Sequence, residues 1–328
     1  MAKSHGFHGV FSGKVGGNVY FRNKASKMKQ GVRTYVANPT NPKSLSQAEQ
    51  RMRMAPAVNC YRALKEIIDR GFQGRQYGNE SRLRFLSLAM KREGGPYLMK
   101  GNKSFVPGDF QISEGSIVPV TITEIGTYSG EGDVQLNAFD CDLVFVLPGT
   151  EFTVAQLSQE LVRRNSDVQL GDQLTFIFIS ANGEVQVKSV VLDGADTTPL
   201  ANLGFYVFYL GTDTHLHVGL SSNVTFIAAT VIQSRESESG THLRSNASIF
   251  LDTANAAVAP YYTEAARVDA IASYMASASS VDWPQVPELV SRDFANLVMV
   301  TVPRQNAQGV NRYTVVNAEG QPVETQPA

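Results

Sequence analysis

The chain has 328 residues, of which 43% are hydrophobic and 18% are charged, values typical of a globular protein with one or two domains. It contains no run of eighteen apolar residues and begins with a polar, glycine-rich segment, so we expect neither a membrane span nor a signal peptide. Cys60 and Cys141 match no metal or redox spacing, and we expect two buried free thiols.

Positive and negative charges are unevenly divided along the chain. Residues 1–100 contain 19 of the 29 lysines and arginines but five of the 30 acidic residues, a net charge of +14. Residues 101–328 carry a net charge of −15. This asymmetry indicates a polyanionic partner or a partner of opposite charge, which another copy of the same chain would supply.

The first predicted segment, residues 1–37, is an extended basic arm. Val19–Arg22 and Val32–Val36 have the composition of two strands of a short hairpin around the loop 24–30. Such an arm has no core of its own and normally becomes ordered against another sheet or groove. Its alternating basic and aromatic residues leave three roles open: packing between acidic neighbours, binding a nucleic-acid backbone, or forming a solvated basic face.

Of these roles we favour packing, because the apolar residues of the arm are spaced as in a buried segment. The predicted interface combines aromatic and aliphatic residues of the arm with arginines that pair with acidic residues of an adjacent body: Phe7, Phe11, Val15, Tyr20, Phe21, Arg22, Arg33, Arg51 and Arg53.

The second segment, residues 38–100, is predicted to be a basic helical region. Ser44 and Gln47 have the spacing of a capping box, which predicts a helix that continues to about Arg70. Pro56 lies within this helix, so we expect a kink or a junction of two helices there.

A second helix is predicted at Glu80–Arg92, and beyond it the pattern changes to β. Residues 101–260 form an acidic domain whose predicted strands are Ile117–Ile125, Val134–Leu147, Gln173–Ser180, Glu184–Leu192, Phe205–Leu210 and Val224–Gln233. Thr153 and Gln156 predict one capped helix among these strands.

Residues 261–328 are predicted to form a C-terminal helix followed by an irregular tail, because prolines interrupt the chain after residue 283. The predicted fold class is therefore α+β: an extended N-terminal arm and a helical segment, followed by a β-sandwich or small barrel with a C-terminal helix.

No residue pattern predicts catalysis, a cofactor or a metal. Residues 9–15 resemble a phosphate-binding loop but have neither its spacing nor its hydroxyl residue after the lysine. His215 and His217 share a strand face without a third metal ligand, and Asp140 and Asp142 share a face without distinct environments. We therefore expect a protein that is not an enzyme.

The N-terminal third resembles an uncharacterised family of Bacteroidota and their tailed phages, including crAss-like phages. The resemblance covers residues 6–73 and is carried by Gly9-x-Phe11-Ser12-Gly13-Lys14-Val15-Gly16, a hairpin, Asn41-Pro42-Lys43-x-x-x-Gln47, Arg51 and Gly71-Phe72. A weaker similarity includes Leu170-Gly171-Asp172 and Leu243-Arg244-Ser245. The resemblance implies a virion structural protein without catalytic residues.

The resemblance and the charge division together predict a virion protein that is assembled in the cytoplasm of the host bacterium. We expect a homo-oligomeric ring or connector subunit near the portal, or a tail subunit, that contacts portal, capsid or tail proteins but no membrane. A capsid decoration protein, a DNA-binding packaging or nucleoid protein, and a carbohydrate-binding adhesin are the alternatives.

Overall fold

The computed structural model describes residues 13–22, 30–36, 45–129, 135–211, 213–221, 224–275, 297–301 and 314–317. These residues belong to two compact units, one before residue 44 and one from residue 44 onward.

The first unit contains a three-stranded antiparallel sheet, here called the N-terminal sheet. Its strands are β1 (Gly13–Val15), β2 (Asn18–Arg22) and β3 (Gln30–Thr34), with β2 in the centre. The pairing of β2 with β3 confirms the predicted hairpin, whose loop lies outside the described residues. β1 is a strand that the sequence did not indicate.

The described part of the second unit contains five helices: α1 (Leu45–Ala63), α2 (Lys65–Gly71), α3 (Asn79–Lys91), α4 (Val154–Arg164) and α5 (Glu264–Met275). The capping box predicted at Thr153 is present at the start of α4. Ser44, the cap predicted for α1, lies outside the described residues.

Of the two outcomes predicted at Pro56, a kink or a junction of two helices, the junction is wrong. α1 continues through Pro56, and the helix is interrupted at Leu64, whose backbone leaves the helical region (φ −110°, ψ 24°). A proline removes one backbone hydrogen bond, and Pro56 is itself buried, so packing of this helix face offsets the loss.

The strands of the second unit are β4 (Gln111–Ser113), β5 (Ile122–Ser129), β6 (Gln135–Val144), β7 (Gln173–Ser180), β8 (Val185–Val191), β9 (Phe205–Phe208), β10 (His215–Leu220), β11 (Phe226–Glu236), β12 (His242–Arg244), β13 (Ala247–Ser248), β14 (Phe250–Leu251), β15 (Leu297–Thr301) and β16 (Thr314–Asn317).

One sheet has the order β5-β6-β10-β9, and a second has the order β12-β11-β7-β8 with β14 also paired to β11. Smaller sheets are β4-β13 and β15-β16. Every pairing between described strands is antiparallel, and none of these sheets closes into a barrel. The predicted α+β class is confirmed.

Two strand predictions require correction. β5 begins at Ile122 rather than at Ile117, because Pro119 has no N–H to donate to a strand ladder, and Ile117 forms an isolated bridge to Ser245 instead. The C-terminal tail is not wholly irregular, since β15 pairs with β16 within it.

The two larger sheets share one apolar core. At its centre lies a cluster, here called the phenylalanine core, formed by Phe139, Phe176, Phe178 and Phe226. Phe139 from β6 lies 5.4 Å from Phe178 of β7, measured between ring centroids. Rings from both sheets therefore fill the space between them.

The opposite face of β7 and β11 packs against α1, α2 and α3. Ile177, Ile179, Ala228 and Ile232 are buried there with residues of the three helices. These strands are buried on both faces, which explains why their sequences are continuous apolar runs rather than alternating ones. The basic segment before residue 100 and the acidic segment after it therefore share one apolar core.

A third cluster joins α1 to α5. Ala48 and Met52 of α1 pack against Ala270, Ile271 and Met275. The small residues in α5 allow this close packing, in agreement with the composition of the predicted C-terminal helix.

Candidate functional site

One face of the N-terminal sheet combines positive charge with aromatic rings. The strand register places Lys14, Val19 and Arg33 side by side across β1, β2 and β3. The Lys14 ammonium lies 3.4 Å from the centroid of the Tyr35 ring, which is close enough for a cation–π interaction. This face suits an anionic or acidic partner.

The same sheet exposes apolar side chains. The exposed fractions are 43% for Phe21, 54% for Val32 and 59% for Val36. The Phe21 ring lies directly over Gly31, where a methyl group would come within 2.4 Å of it. These exposed side chains offer apolar surface to a packing partner.

The predicted interface residues are distributed over both units. Phe7 and Phe11 lie outside the described residues, and Val15 and Arg22 lie in β1 and β2. Tyr20 is partly buried, whereas Phe21 and Arg33 are exposed. Arg51 and Arg53 lie on α1 in the second unit, partly buried and exposed respectively. Their pairing with acidic residues of a neighbour stays a prediction.

A second candidate site is a cleft of about 730 Å³ in the second unit. We call it the arginine cleft after four residues that line it, Arg70, Arg75, Arg235 and Arg244. Arg70 comes from α2 and Arg75 from the loop after it, whereas Arg235 and Arg244 come from β11 and β12.

Three of the stretches that carry the family resemblance meet at this cleft. Phe72 follows α2, Gly171 lies in the turn before β7, and Arg244 ends β12, and all three line the cavity. These stretches are about 100 and 70 residues apart in sequence. The cleft is therefore built by long-range packing and could not be found from local spacing.

Close backbone contacts hold the walls of the cleft together. Phe72 forms a parallel bridge to Glu114, and the Gln73 amide donates to the Glu114 carbonyl (2.8 Å). The Gln73 side-chain carbonyl accepts from the backbone amides of Arg244 (3.2 Å) and Ser116 (3.0 Å). One glutamine thus ties the loop after α2 to β12.

A buried serine adds a further link. The Ser113 hydroxyl lies 2.9 Å from the Gly71 carbonyl and 2.8 Å from the Ser245 carbonyl, so it bridges the ends of α2 and β12. Both hydrogen bonds require the backbone segments at Gly71, Ser113 and Ser245 to lie close together. A side chain at Gly71 would collide with the Ile112 carbonyl, 2.3 Å from its first carbon.

The charges in the cleft are unequally compensated. Asp69 accepts from Tyr61 Oη (2.8 Å) and Lys65 Nζ (3.0 Å), and Arg235 is paired with the buried Asp172. Arg244 is partly buried and has no carboxylate within 4 Å among the described residues. Burial, together with the charge of Arg70, lowers the pKa of the Arg244 guanidinium.

The histidines and aspartates considered from the sequence lie on the sheet β5-β6-β10-β9. His215 Nδ1 lies 3.3 Å from Asp140 Oδ2, a pairing across neighbouring strands that the sequence did not indicate. His217 is buried and packs on Phe208, with ring centroids 5.1 Å apart. Asp142 points elsewhere and accepts from the Thr121 amide.

This cluster has the character of a packed sheet face. Burial raises the pKa of the adjacent Tyr128 to about 12, and the His217 ring lies between aromatic neighbours. Within the described ranges, no group of three or more His, Cys, Asp or Glu side chains is arranged to hold a metal ion. Cys60 and Cys141 are both buried and free, as predicted.

The chain matches no family model, no curated protein and no solved structure. None of the helices in the described part of the chain has the length and apolar character needed to cross a membrane.

Proposed function

We propose that this protein is a non-enzymatic structural subunit of a tailed-phage virion that assembles through its N-terminal sheet. A ring or connector position near the portal, or a place in the tail, suits a subunit with a basic arm and an acidic body, because a head-to-tail contact forms a ring when its rotation closes and a filament when it does not. The assignment to a virion depends on the family resemblance of residues 6–73.

The observation that carries the proposal is the N-terminal sheet itself. It forms a compact unit of its own, with three strands of three to five residues, and its Phe21 and Val32 side chains are about half exposed. Sheets of this kind gain stability by adding to a surface that supplies the missing apolar contacts.

Acidic side chains on the second unit offer a complementary surface. Several of them are exposed: Glu124, Glu151, Glu184, Asp193 and Glu238. In a neighbouring copy they would face the positive charges of Lys14 and Arg33, with the strongest effect at low ionic strength. We further propose that the two sheets around the phenylalanine core form a β-sandwich that serves as the rigid body of the subunit.

Deletion of residues 1–36 tests the proposal. The second unit has its own cores, so the truncated chain is expected to keep its helical and strand content by circular dichroism and to remain monomeric in sedimentation velocity. The full chain is expected to form a species of defined higher mass. Normal assembly of the truncated chain would rule out the N-terminal sheet as the assembly element.

Point variants refine the test. The double change Phe21→Ser and Val32→Ser is expected to reduce assembly in the same way as the deletion. Val187→Ser is the matched control, because Val187 is a similarly exposed strand residue (47%) of the second unit. A full chain that stays monomeric at high concentration would instead support a decoration protein, which needs a pre-existing capsid surface.

A second candidate function is DNA binding by the N-terminal sheet. Lys14 lies over the Tyr35 ring on the same sheet face as Arg33, an arrangement that also fits a phosphate backbone with stacked bases. Titration of duplex DNA against salt distinguishes the two, because phosphate contacts lose affinity steeply as salt rises. Absence of binding at low salt eliminates this candidate.

A further inference from the structure

Three guanidinium groups in the arginine cleft carry charges that no ion pair with another described residue neutralises. None of the ion pairs between described residues includes Arg70, Arg75 or Arg244. Arg70 lies over the ring of Tyr77, with its guanidinium carbon 5.5 Å from the ring centroid. This contact orients the Arg70 side chain without neutralising its charge.

The nearby acidic groups do not fill this role. Asp69 is already engaged by Lys65, and Asp172 by Arg235. Glu236 is the remaining carboxylate that lines the cleft, and it lies at the exposed end of β11. The arginines of the cleft that form no ion pair with a described residue are Arg70, Arg75 and Arg244. Three positive charges and one negative charge leave an excess of two positive charges in the cavity.

Arg244 would gain most from a bound anion. Its guanidinium is partly buried, and its backbone is held in place by Gln73 and by the Ile117 amide, which donates to the Arg244 carbonyl (2.9 Å). A charge withdrawn from water without a partner costs free energy, and an anion in the cleft would offset that cost.

We propose that the arginine cleft binds phosphoryl oxyanions, with Arg70 and Arg244 as the principal ligands and Arg75 and His242 at its edge. The planar guanidinium forms paired hydrogen bonds with phosphate oxygens. Arg70 and Arg244 come from different elements, so a phosphoryl group, whose oxygens point in several directions, fits them better than a flat carboxylate. The excess of two charges matches the charge of a phosphate monoester, about −1.5 to −2 at pH 7.

The size of the cleft indicates a phosphorylated molecule larger than a single phosphate. Its volume of about 730 Å³ is within the range of small-molecule sites. Tyr77, 61% exposed, presents a ring at the same cavity on which a base can stack. Both a nucleotide and a nucleic-acid strand carry this combination of phosphate and base.

The binding test uses the full chain with pyrophosphate as the probe. Isothermal titration calorimetry at low ionic strength measures the binding. We expect saturable binding of one pyrophosphate per chain. Citrate, which has similar charge but carries carboxylates, is expected to bind at least about tenfold more weakly. No binding of pyrophosphate, or equal binding of citrate, would overturn the proposal.

Substitutions locate the site. Arg244→Gln and Arg70→Gln are each expected to weaken pyrophosphate binding by about tenfold or more, the loss expected for a hydrogen bond to a charged group. Arg62→Gln is the control, because Arg62 is an exposed arginine of α1 outside the cleft. Equal losses for Arg62→Gln and Arg70→Gln would show a non-specific charge effect and contradict the site.

Arg70→Gln also controls for unfolding, and competition experiments identify the source of the phosphate. Arg70 is exposed, so Arg70→Gln is informative even where Arg244→Gln unfolds the chain. Competition of pyrophosphate by ATP alone would identify a nucleotide, and competition by a thymidine oligonucleotide would identify a strand. This proposal does not depend on assembly through the N-terminal sheet, which is measured separately by mass.

Discussion

Arg235 binds both carboxylate oxygens of Asp172, with Nε 2.5 Å from Oδ1 and Nη2 2.8 Å from Oδ2. The Asp172 side chain is fully buried, and it also accepts from Gln233 Nε2 (2.8 Å) and the Gln169 amide (2.8 Å). A buried carboxylate with all of these donors fixes the turn before β7 to β11. These hydrogen bonds therefore fix the register in which β7 pairs with β11 beside the cleft.

Arg235→Gln is expected to destabilise the protein by about 3 kcal/mol, because it leaves the Asp172 charge buried without a cation. Chemical denaturation followed by far-ultraviolet circular dichroism measures this loss. The control is Arg267→Gln, which breaks more exposed contacts with Glu264 (2.8 Å) and Glu49 (3.4 Å) and should cost less than about 1 kcal/mol. Equal losses in the two variants would contradict a special role for the buried pair.

The phenylalanine core predicts a large effect of truncation. The Phe139 ring is fully buried and lies 5.4 Å from Phe178 and 6.2 Å from Phe176, between centroids. Phe139→Ala is therefore expected to cost about 3–5 kcal/mol, the sum of lost burial and of the cavity left behind.

The matched control for this core substitution is Leu83→Ala on α3, where the side chain is 57% exposed. Its expected cost in the same denaturation experiment is under about 0.5 kcal/mol. A small effect of Phe139→Ala would mean that the two sheets do not share one cooperative core.

Local patterns predicted much of the fold. Runs rich in Val, Ile, Phe and Thr located β7 and β8, which the Asn182-Gly183 turn joins. The Thr153 capping box located the start of α4. These features depend on neighbours within a few residues, so a single sequence contains the information.

Features made by distant residues could not be predicted in the same way. β6 pairs with the distant β10 as well as with its sequential neighbour β5, and this second pairing brings Asp140 to His215, 75 residues apart. The arginine cleft likewise requires α2 to meet β12, and nothing near Arg70 in sequence indicates Arg244. The interruption at Leu64 instead of Pro56 shows packing overriding a local helix-breaking signal.

The ion pair beside the cleft predicts a dependence of stability on pH. Arg84 donates to both Glu114 oxygens at 2.7 Å, and these hydrogen bonds lower the pKa of the Glu114 carboxyl. A carboxyl whose pKa is lower in the folded state stabilises the fold above its unfolded pKa of about 4.3. That contribution is lost as the pH falls through the folded pKa.

Glu114→Gln should therefore be less stable than the natural chain at neutral pH, with a difference that shrinks as the pH is lowered below about 4. Denaturation midpoints at several pH values measure this change. Glu80→Gln on α3 provides the comparison, since the exposed Glu80 forms none of the ion pairs found among the described residues. A constant difference between pH 7 and acid would refute the role of the Glu114 charge.

The closest backbone approach at the cleft predicts the effect of adding one methyl group. At Gly115 that group would lie 2.1 Å from the Arg244 carbonyl oxygen and 2.7 Å from Gln73 Oε1. Gly115→Ala must therefore displace β12 or the loop after α2. We expect a loss of about 1–3 kcal/mol, typical of overpacking.

The same displacement would move Arg244, so Gly115→Ala is also expected to weaken pyrophosphate binding while leaving Arg244 in the sequence. Gly211→Ala is the control, because no atom lies within 4 Å of the added methyl group. Denaturation and calorimetry on both variants measure the two effects. Unchanged pyrophosphate affinity in a destabilised Gly115→Ala chain would contradict the proposed site. An anion site that depends on the position of Arg244 cannot survive the displacement of that residue.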